Sequence, residues 1–115
     1  MHELALVQEM LVILERVAAE HRLKKVTSVT VKMGVLANVI PETIAFAFEA
    51  LTRGTVFEGA ALILEEVPVE ASCQDCGRQY TSSGTPLWCP ECGSNRAMVL
   101  AGTELTVANL VGEEQ

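Results

Sequence analysis

The chain has 115 residues and a mass of 12.4 kDa, enough for one domain or for one small domain carrying an insert. Half of the residues are apolar but only 4% are aromatic, so the core must be built from Leu, Val, Ile and Ala. Eight Lys+Arg against 15 Asp+Glu give a formal charge of −7, which argues against generic nucleic-acid binding and against anionic membranes.

Apolar runs such as Met10 to Leu14 and Ala60 to Leu64 fall far short of the roughly 20 residues a spanning helix needs. The first residues do not read as a secretory signal: they lack a basic leader, and Glu3, Glu9 and Glu15 interrupt the apolar stretch. Without an export signal, cysteines in close pairs read as metal or redox chemistry rather than disulfides. The expected compartment is the cytoplasm.

From Glu3 to about His21, Leu4, Val7, Leu11, Leu14 and Ala18 recur in steps of three or four, and Met10 and Val17 widen the stripe. Glu9, Glu15, Arg16 and Glu20 fall on the other side. This predicts one long amphipathic helix, closed by His21, Arg22, Lys24 and Lys25 as cations at its negative end. Val29, Val31, Met33 and Val35 then alternate with Thr30, Lys32 and Gly34, the period of a half-buried strand. Pro41 and Glu42 open a second helix with Ile44, Phe48 and Leu51 as its stripe, thickened by Phe46 and Ala47. Arg53-Gly54 ends it. A second strand covers Ala61 to Val67, and a third runs from Leu105 to about Val111.

Between those strands, Ser72 to Asn95 is polar, rich in Gly and Pro, and holds all four cysteines. Such a segment buries too little apolar surface to fold alone. The expected architecture is α+β: two helices packed on a three-stranded sheet, residues 1–70 and 101–115, with residues 71–100 inserted as a zinc-ribbon-like, four-cysteine zinc-binding domain.

Cys73-Gln-Asp-Cys76 and Cys89-Pro-Glu-Cys92 are separated by Gly77 to Trp88. Each Cys-x-x-Cys turn can place two sulfurs on one ion, and zinc takes four thiolates tetrahedrally with no position left for substrate. Gly77 and Gly93 directly follow the second cysteine of each pair, which lets the backbone turn tightly and aim N–H groups at sulfur. Two matched pairs argue against a thioredoxin-type redox site. Iron is the closer competitor, since softness alone does not separate the metals.

The opening Met1-His2-Glu3 gathers a terminal amine, two amide nitrogens and an imidazole within a few atoms. Ni(II) favours such planar nitrogen and oxygen donors. The positive end of the first helix dipole disfavours a protonated amine and leaves its lone pair for a metal.

On these residues the chain resembles the HypA/HybF family, the nickel metallochaperones of [NiFe]-hydrogenase maturation. The likeness runs through Met1-His2-Glu3-Leu4, Met33-Gly34 to Ala47-Phe48-Glu49, Leu62 to Pro68, the two Cys pairs and Gly102-Thr103-Glu104-Leu105. The resemblance implies that His2 is an essential nickel ligand, with the Met1 amine and Glu3 backbone as candidate co-ligands. It implies that Cys73, Cys76, Cys89 and Cys92 hold structural zinc, with nickel as cargo. It also implies delivery to the hydrogenase large subunit, with the accessory GTPase HypB as partner; some relatives serve urease maturation proteins. Some members use an acidic side chain near the start of the second helix, where Val39-Ile40-Pro41-Glu42 offers Glu42. His21 reads as a helix-end cation, not a ligand.

The expected function is therefore a metal carrier and not an enzyme. Two other classes compete: a zinc-ribbon module for nucleic acid or protein, and an iron tetrathiolate electron carrier. The first calls for a basic ribbon, but Arg78 and Arg96 are balanced by Asp75 and Glu91. Colour separates the second, because ferric tetrathiolate is red and zinc colourless. Neither nucleic acid nor membrane is expected as a partner.

Overall fold

The computed structural model describes residues 2–115, with side chains from residue 3 onward. Helix α1 spans His2–Glu20, strand β1 Leu23–Gly34, helix α2 Pro41–Thr52 and strand β2 Ala61–Val67. Three short strands follow, β3 (Val69–Cys73), β4 (Gln79–Ser82) and β5 (Ala97–Ala101), and β6 (Leu105–Glu114) closes the chain. They form two three-stranded sheets, ordered β2-β1-β6 and β4-β3-β5. No helix among the described residues is long and apolar enough to cross a membrane.

The residues fall into two compact units. The first takes Met1–Val31, Val39–Leu64 and Thr106–Gln115; the second takes Lys32–Asn38 and Glu65–Leu105. Sequence alone places the insert at 71–100; the second unit is wider because residues 32–38 and the flanks of the Cys segment are hydrogen-bonded to one another. Gly34 N–H donates to Glu104 O at 2.7 Å, Val35 N–H to Val67 O at 2.9 Å and Leu36 N–H to Gly102 O at 2.7 Å. A Cβ at Gly34 would overlap the Gly102 carbonyl, so this approach of two backbones requires glycine.

The first unit owns the larger core. Val7, Met10, Leu11, Leu14 and Ala18 of α1 are buried, on the face their spacing predicts. Glu9, Glu15, Arg16 and Glu20 are exposed. From β1 come Leu23, Val26, Val29 and Val31, and from α2 Ile44, Ala47 and Phe48. Phe57, in the turns between α2 and β2, is the largest of the side chains this core buries completely. It belongs to no periodic segment, so pattern reading passes over it. Thr55 positions it: its hydroxyl donates to Thr52 O at 2.6 Å and accepts from Phe57 N–H at 3.1 Å.

Several expectations change. The basic cluster does not cap α1, which has no basic residue in its last turn. Arg22 takes a left-handed φ of 52° and ends the helix, while Lys24 and Lys25 lie within β1 on exposed positions. Strand β1 therefore begins six residues earlier than the strict alternation at Val29 suggests. Phe46 does not thicken the apolar stripe of α2, being 68% exposed. The opening of α2 is as read: Pro41 follows an extended Ile40, whose carbonyl accepts from Thr43 and Ile44 at 3.0 Å. The strand from Leu105 continues to Glu114.

In the second unit β3 pairs antiparallel with β4 (Ala71 opposite Tyr80) and with β5 (Cys73 opposite Ala97). Glu104 ties down the turn that leaves β5. Its carboxylate accepts from Gly102 N–H at 2.9 Å and Thr103 N–H at 3.1 Å. The Gly102 N–H first, then the N–H of Glu104 itself and that of Thr103, hold its pKa below the usual 4.5 against burial, with a smaller pull from Lys32. The folded pKa is depressed, so the contribution to stability is present above about 4.5 and is lost as the pH falls through the lower folded value. Glu104→Gln should lower the urea midpoint at neutral pH and converge with the wild type in acid. Parallel midpoints across that range would contradict the assignment.

Candidate metal centre

The four cysteines come from two turns of one design. Cys73 ends β3, and the chain turns so that Gly77 N–H donates to Cys73 O at 2.9 Å while Cys73 N–H donates to Arg78 O at 2.8 Å. The second turn repeats this: Gly93 N–H donates to Cys89 O and Cys89 N–H to Ser94 O, both at 2.9 Å. Gly77 and Gly93 close the turns with φ of 79° and 75°, the left-handed region where a side chain is strained.

These turns bring the four sulfurs within 4.8 Å of one another. Two separations run across the turns, Cys73 to Cys92 and Cys76 to Cys89, both 3.6 Å. A tetrahedral ion with metal–sulfur bonds of about 2.3 Å requires sulfur–sulfur edges of about 3.8 Å. The donor set fits such an ion in number, spacing and chemistry. Cys73 and Cys89 are buried, and Cys76 and Cys92 face outward.

The backbone prepares one thiolate in each turn. The N–H of Cys76, helped by that of Asp75, lowers the Cys73 thiol to about 6 against the opposition of burial. Cys89 is lowered in the same way, chiefly by the N–H of Cys92. The other two move oppositely. The N–H of Arg78 lowers Cys76, but the Cys89 sulfur and burial outweigh it and push Cys76 up to about 12. Cys92 is likewise raised: the N–H of Ser94 lowers it, and the Cys73 sulfur and burial prevail. Four adjacent anions repel unless a cation joins them, and a divalent ion supplies the missing charge.

Charged side chains cross between the turns. Arg78 reaches Glu91 at 3.2 Å, and Arg96 reaches Asp75 at 2.9 Å. The Ser94 hydroxyl donates to the second oxygen of Asp75. Sequence reading registers these charges as balanced but not as paired. Tyr80, with Trp88 one of the aromatics of this segment, has its hydroxyl buried without a hydrogen-bond partner among the described residues. Burial raises its pKa first, and the charges of Cys73, Cys89 and Cys92 add to that.

The nickel expectation falls largely outside the described residues: these exclude Met1 and the His2 side chain. His2 opens α1. Glu3 is described, and its carboxylate accepts from Ile40 N–H at 3.3 Å. The first turn of α1 therefore lies beside the residue that precedes α2. Glu42 is exposed on the first turn of α2, and His21 is exposed just past the end of α1.

A family model described as "Hydrogenase/urease nickel incorporation, metallochaperone, hypA" matches residues 1–112. The chain belongs to the HypA family. It is 40% identical over 110 residues to the hydrogenase maturation factor HypA of Geobacter metallireducens, covering 96% of this chain and 97% of that protein. It is 39% identical over 113 residues to the HypA of Moorella thermoacetica, covering 98% and 100%. The solution structure of the Ni metallochaperone HypA from Helicobacter pylori matches with a TM-score of 0.70 at 22% identity, over 98% of both chains. That likeness establishes the fold. The HypA family is one of nickel metallochaperones in hydrogenase maturation.

Proposed function

We propose that this protein carries Ni(II) at its N-terminus and delivers it to the large subunit of a [NiFe]-hydrogenase, acting as a carrier rather than an enzyme. Family membership over residues 1–112 is the observation that carries the reading. His2 supplies the imidazole, with the Met1 amine and the Glu3 backbone as co-ligands. Glu42, exposed at the start of α2, is the acidic side chain that the resemblance offers there; the Glu3–Ile40 hydrogen bond joins the first turn of α1 to the residue before α2. A site on a chain end, made of few donors, gives up its ion more readily than a closed cage.

Cys73, Cys76, Cys89 and Cys92 hold zinc as a structural ion. The spacing of the sulfurs suits zinc, which has no open position in such a set and supplies charge and a cross-link. The protein works in the cytoplasm, where thiols stay reduced. The accessory GTPase HypB meets the outer side of α1, where Glu9, Glu15 and Glu20 are exposed and steer a basic partner; some targets lie on the urease side.

The test follows nickel itself. Nickel-loaded protein is mixed with the metal-free large subunit and HypB in the presence of a competing chelator. Nickel should reach the large subunit faster than from an equal amount of free Ni(II), and the chelator should intercept little of it. Charge reversal at two of Glu9, Glu15 and Glu20 should slow association with HypB at low salt. Transfer no better than from the free ion would overturn the delivery reading.

A further inference from the structure

The crossed ion pairs around the cysteines have a geometry of their own. Each turn carries an acid at the position before its second cysteine, Asp75 in one and Glu91 in the other. Each acid is held by an arginine that follows the opposite turn: Arg96 on Asp75 at 2.9 Å and Arg78 on Glu91 at 3.2 Å. The Asp75 side adds the Ser94 hydroxyl on its other oxygen. The same side is braced by backbone: Gln74 N–H donates to Arg96 O at 2.8 Å, and Arg96 N–H to Ser94 Oγ at 3.1 Å. Every one of these bonds joins the two turns or fixes the arm that does.

We propose that Asp75–Arg96 and Glu91–Arg78 form a reciprocal latch that keeps the two cysteine pairs closed on their metal and slows its loss. Apart from the metal, the turns are joined by the Gln74–Arg96 backbone bond and the pairing of Cys73 with Ala97, neither of which holds the outward-facing cysteines once a thiolate lets go. With the latch closed, a released sulfur stays beside the ion and rebinds before a second one leaves. The two outward-facing sulfurs, Cys76 and Cys92, are the ones a competing ligand reaches first, and each adjoins a latch acid. The four side chains are positioning residues and touch no metal. All of them are exposed, so each pair is weak singly. The two act together because both cross from one turn to the other, each beside an outward-facing cysteine. The proposal rests on the four cysteines holding one metal ion.

The experiment reads metal loss from the purified full-length protein loaded with zinc, using a coloured chelator in excess. Metal content is measured first; a wild type that holds no zinc on these cysteines overturns both the zinc reading and the latch. With zinc bound, Asp75→Asn/Glu91→Gln should release it faster, by about threefold to tenfold, the range expected when two exposed pairs are lost together. Glu91→Arg alone should release faster, and the swap Glu91→Arg/Arg78→Glu should return towards the wild-type rate. Raising the salt concentration should speed release from the wild type and leave the double amide variant nearly unchanged. Helical circular dichroism reports the first unit and should be the same in all variants. Wild-type release from the double amide variant, or a swap that restores nothing, would refute the latch even with zinc bound as proposed.

Discussion

Removing the metal, by chelation or by Cys73→Ser/Cys89→Ser, is expected to unfold residues 65–105 while the helices survive. The buried side chains of the second unit are few: Val69, Ala71, Cys73 and Cys89 are its buried apolar residues. Two of those four, Cys73 and Cys89, belong to the proposed zinc set, and on that reading the ion is part of the core. Structural zinc contributes roughly 10–16 kcal/mol of apparent binding free energy in small peptides, more than the few kcal/mol a core this small supplies. The first unit does not share that dependence. Its buried set runs from Val7 to Ala18, through Leu23, Val26, Val29 and Val31, to Ile44, Ala47, Phe48 and Phe57. Circular dichroism should keep its helical signal near 222 nm, while the fluorescence of Trp88, the single tryptophan, changes as its surroundings unfold. Loss of the helical signal in step with the metal would mean that the two units form one cooperative system. Iron in place of zinc in the purified protein would remove the zinc assignment.

The second large effect concerns His2. His2→Ala should leave the fold and the cysteine-bound metal intact and remove specific nickel binding. His2 lies outside the apolar stripe that Leu4 and Val7 begin, so the truncation opens no core cavity. It takes away the one imidazole next to the terminal amine, a donor that carboxylates replace poorly for Ni(II). Loss of an outer partner of a metal site typically costs about 10–100-fold in affinity, and loss of a ligand should exceed that. A short extension ahead of Met1 should weaken nickel similarly, because it converts the amine into an amide. Nickel should also leave as the pH falls through the range of imidazole, whose ordinary pKa is about 6.5. Zinc should outlast it, since the closed set resists protons longer. Calorimetric titration of the wild type, the alanine variant and the extended chain measures all of this. Equal nickel affinity in wild type and His2→Ala would defeat the site, and a variant that loses fold or zinc would make His2 structural.

Sequence periodicity recovers the elements whose stability comes from apolar burial. Helices α1 and α2 lie where their patterns put them, because Val7, Leu11 and Leu14, or Ile44 and Phe48, have only one face on which to hide; strand β2, whose periodicity is ambiguous and which buries none of its residues fully, lies where the length of its apolar run put it. Strand β1 starts early because Lys24 and Lys25 occupy exposed positions of a strand, and two adjacent cations after a helix look the same in either role. Strand β5 escapes pattern reading for a different reason. Met98, Val99 and Leu100 of β5 are all exposed, so no inward alternation marks the strand; pairing with β3 and closure around the cysteines hold it. The cysteine cluster is legible because two Cys-x-x-Cys turns fix four sulfurs by spacing alone. The pairing of Asp75 with Arg96 is not, since it depends on how one turn faces the other.

The hydrogen bonds of Gly34, Val35 and Leu36 to Glu104, Val67 and Gly102 bear on how such a protein can be rearranged. A ribbon inserted between two strands invites the idea of a portable cassette, exchangeable between relatives by recombination at its ends. Here residues 32–38 belong to the same unit as residues 65–105, although α2 lies between them in the chain. A graft cut only at residues 65 and 105 would leave three backbone donors behind and carry their acceptors away. Residues 65–105 excised on their own should therefore fold less well than the same segment joined to residues 32–38, because only the joined form keeps these three backbone pairs.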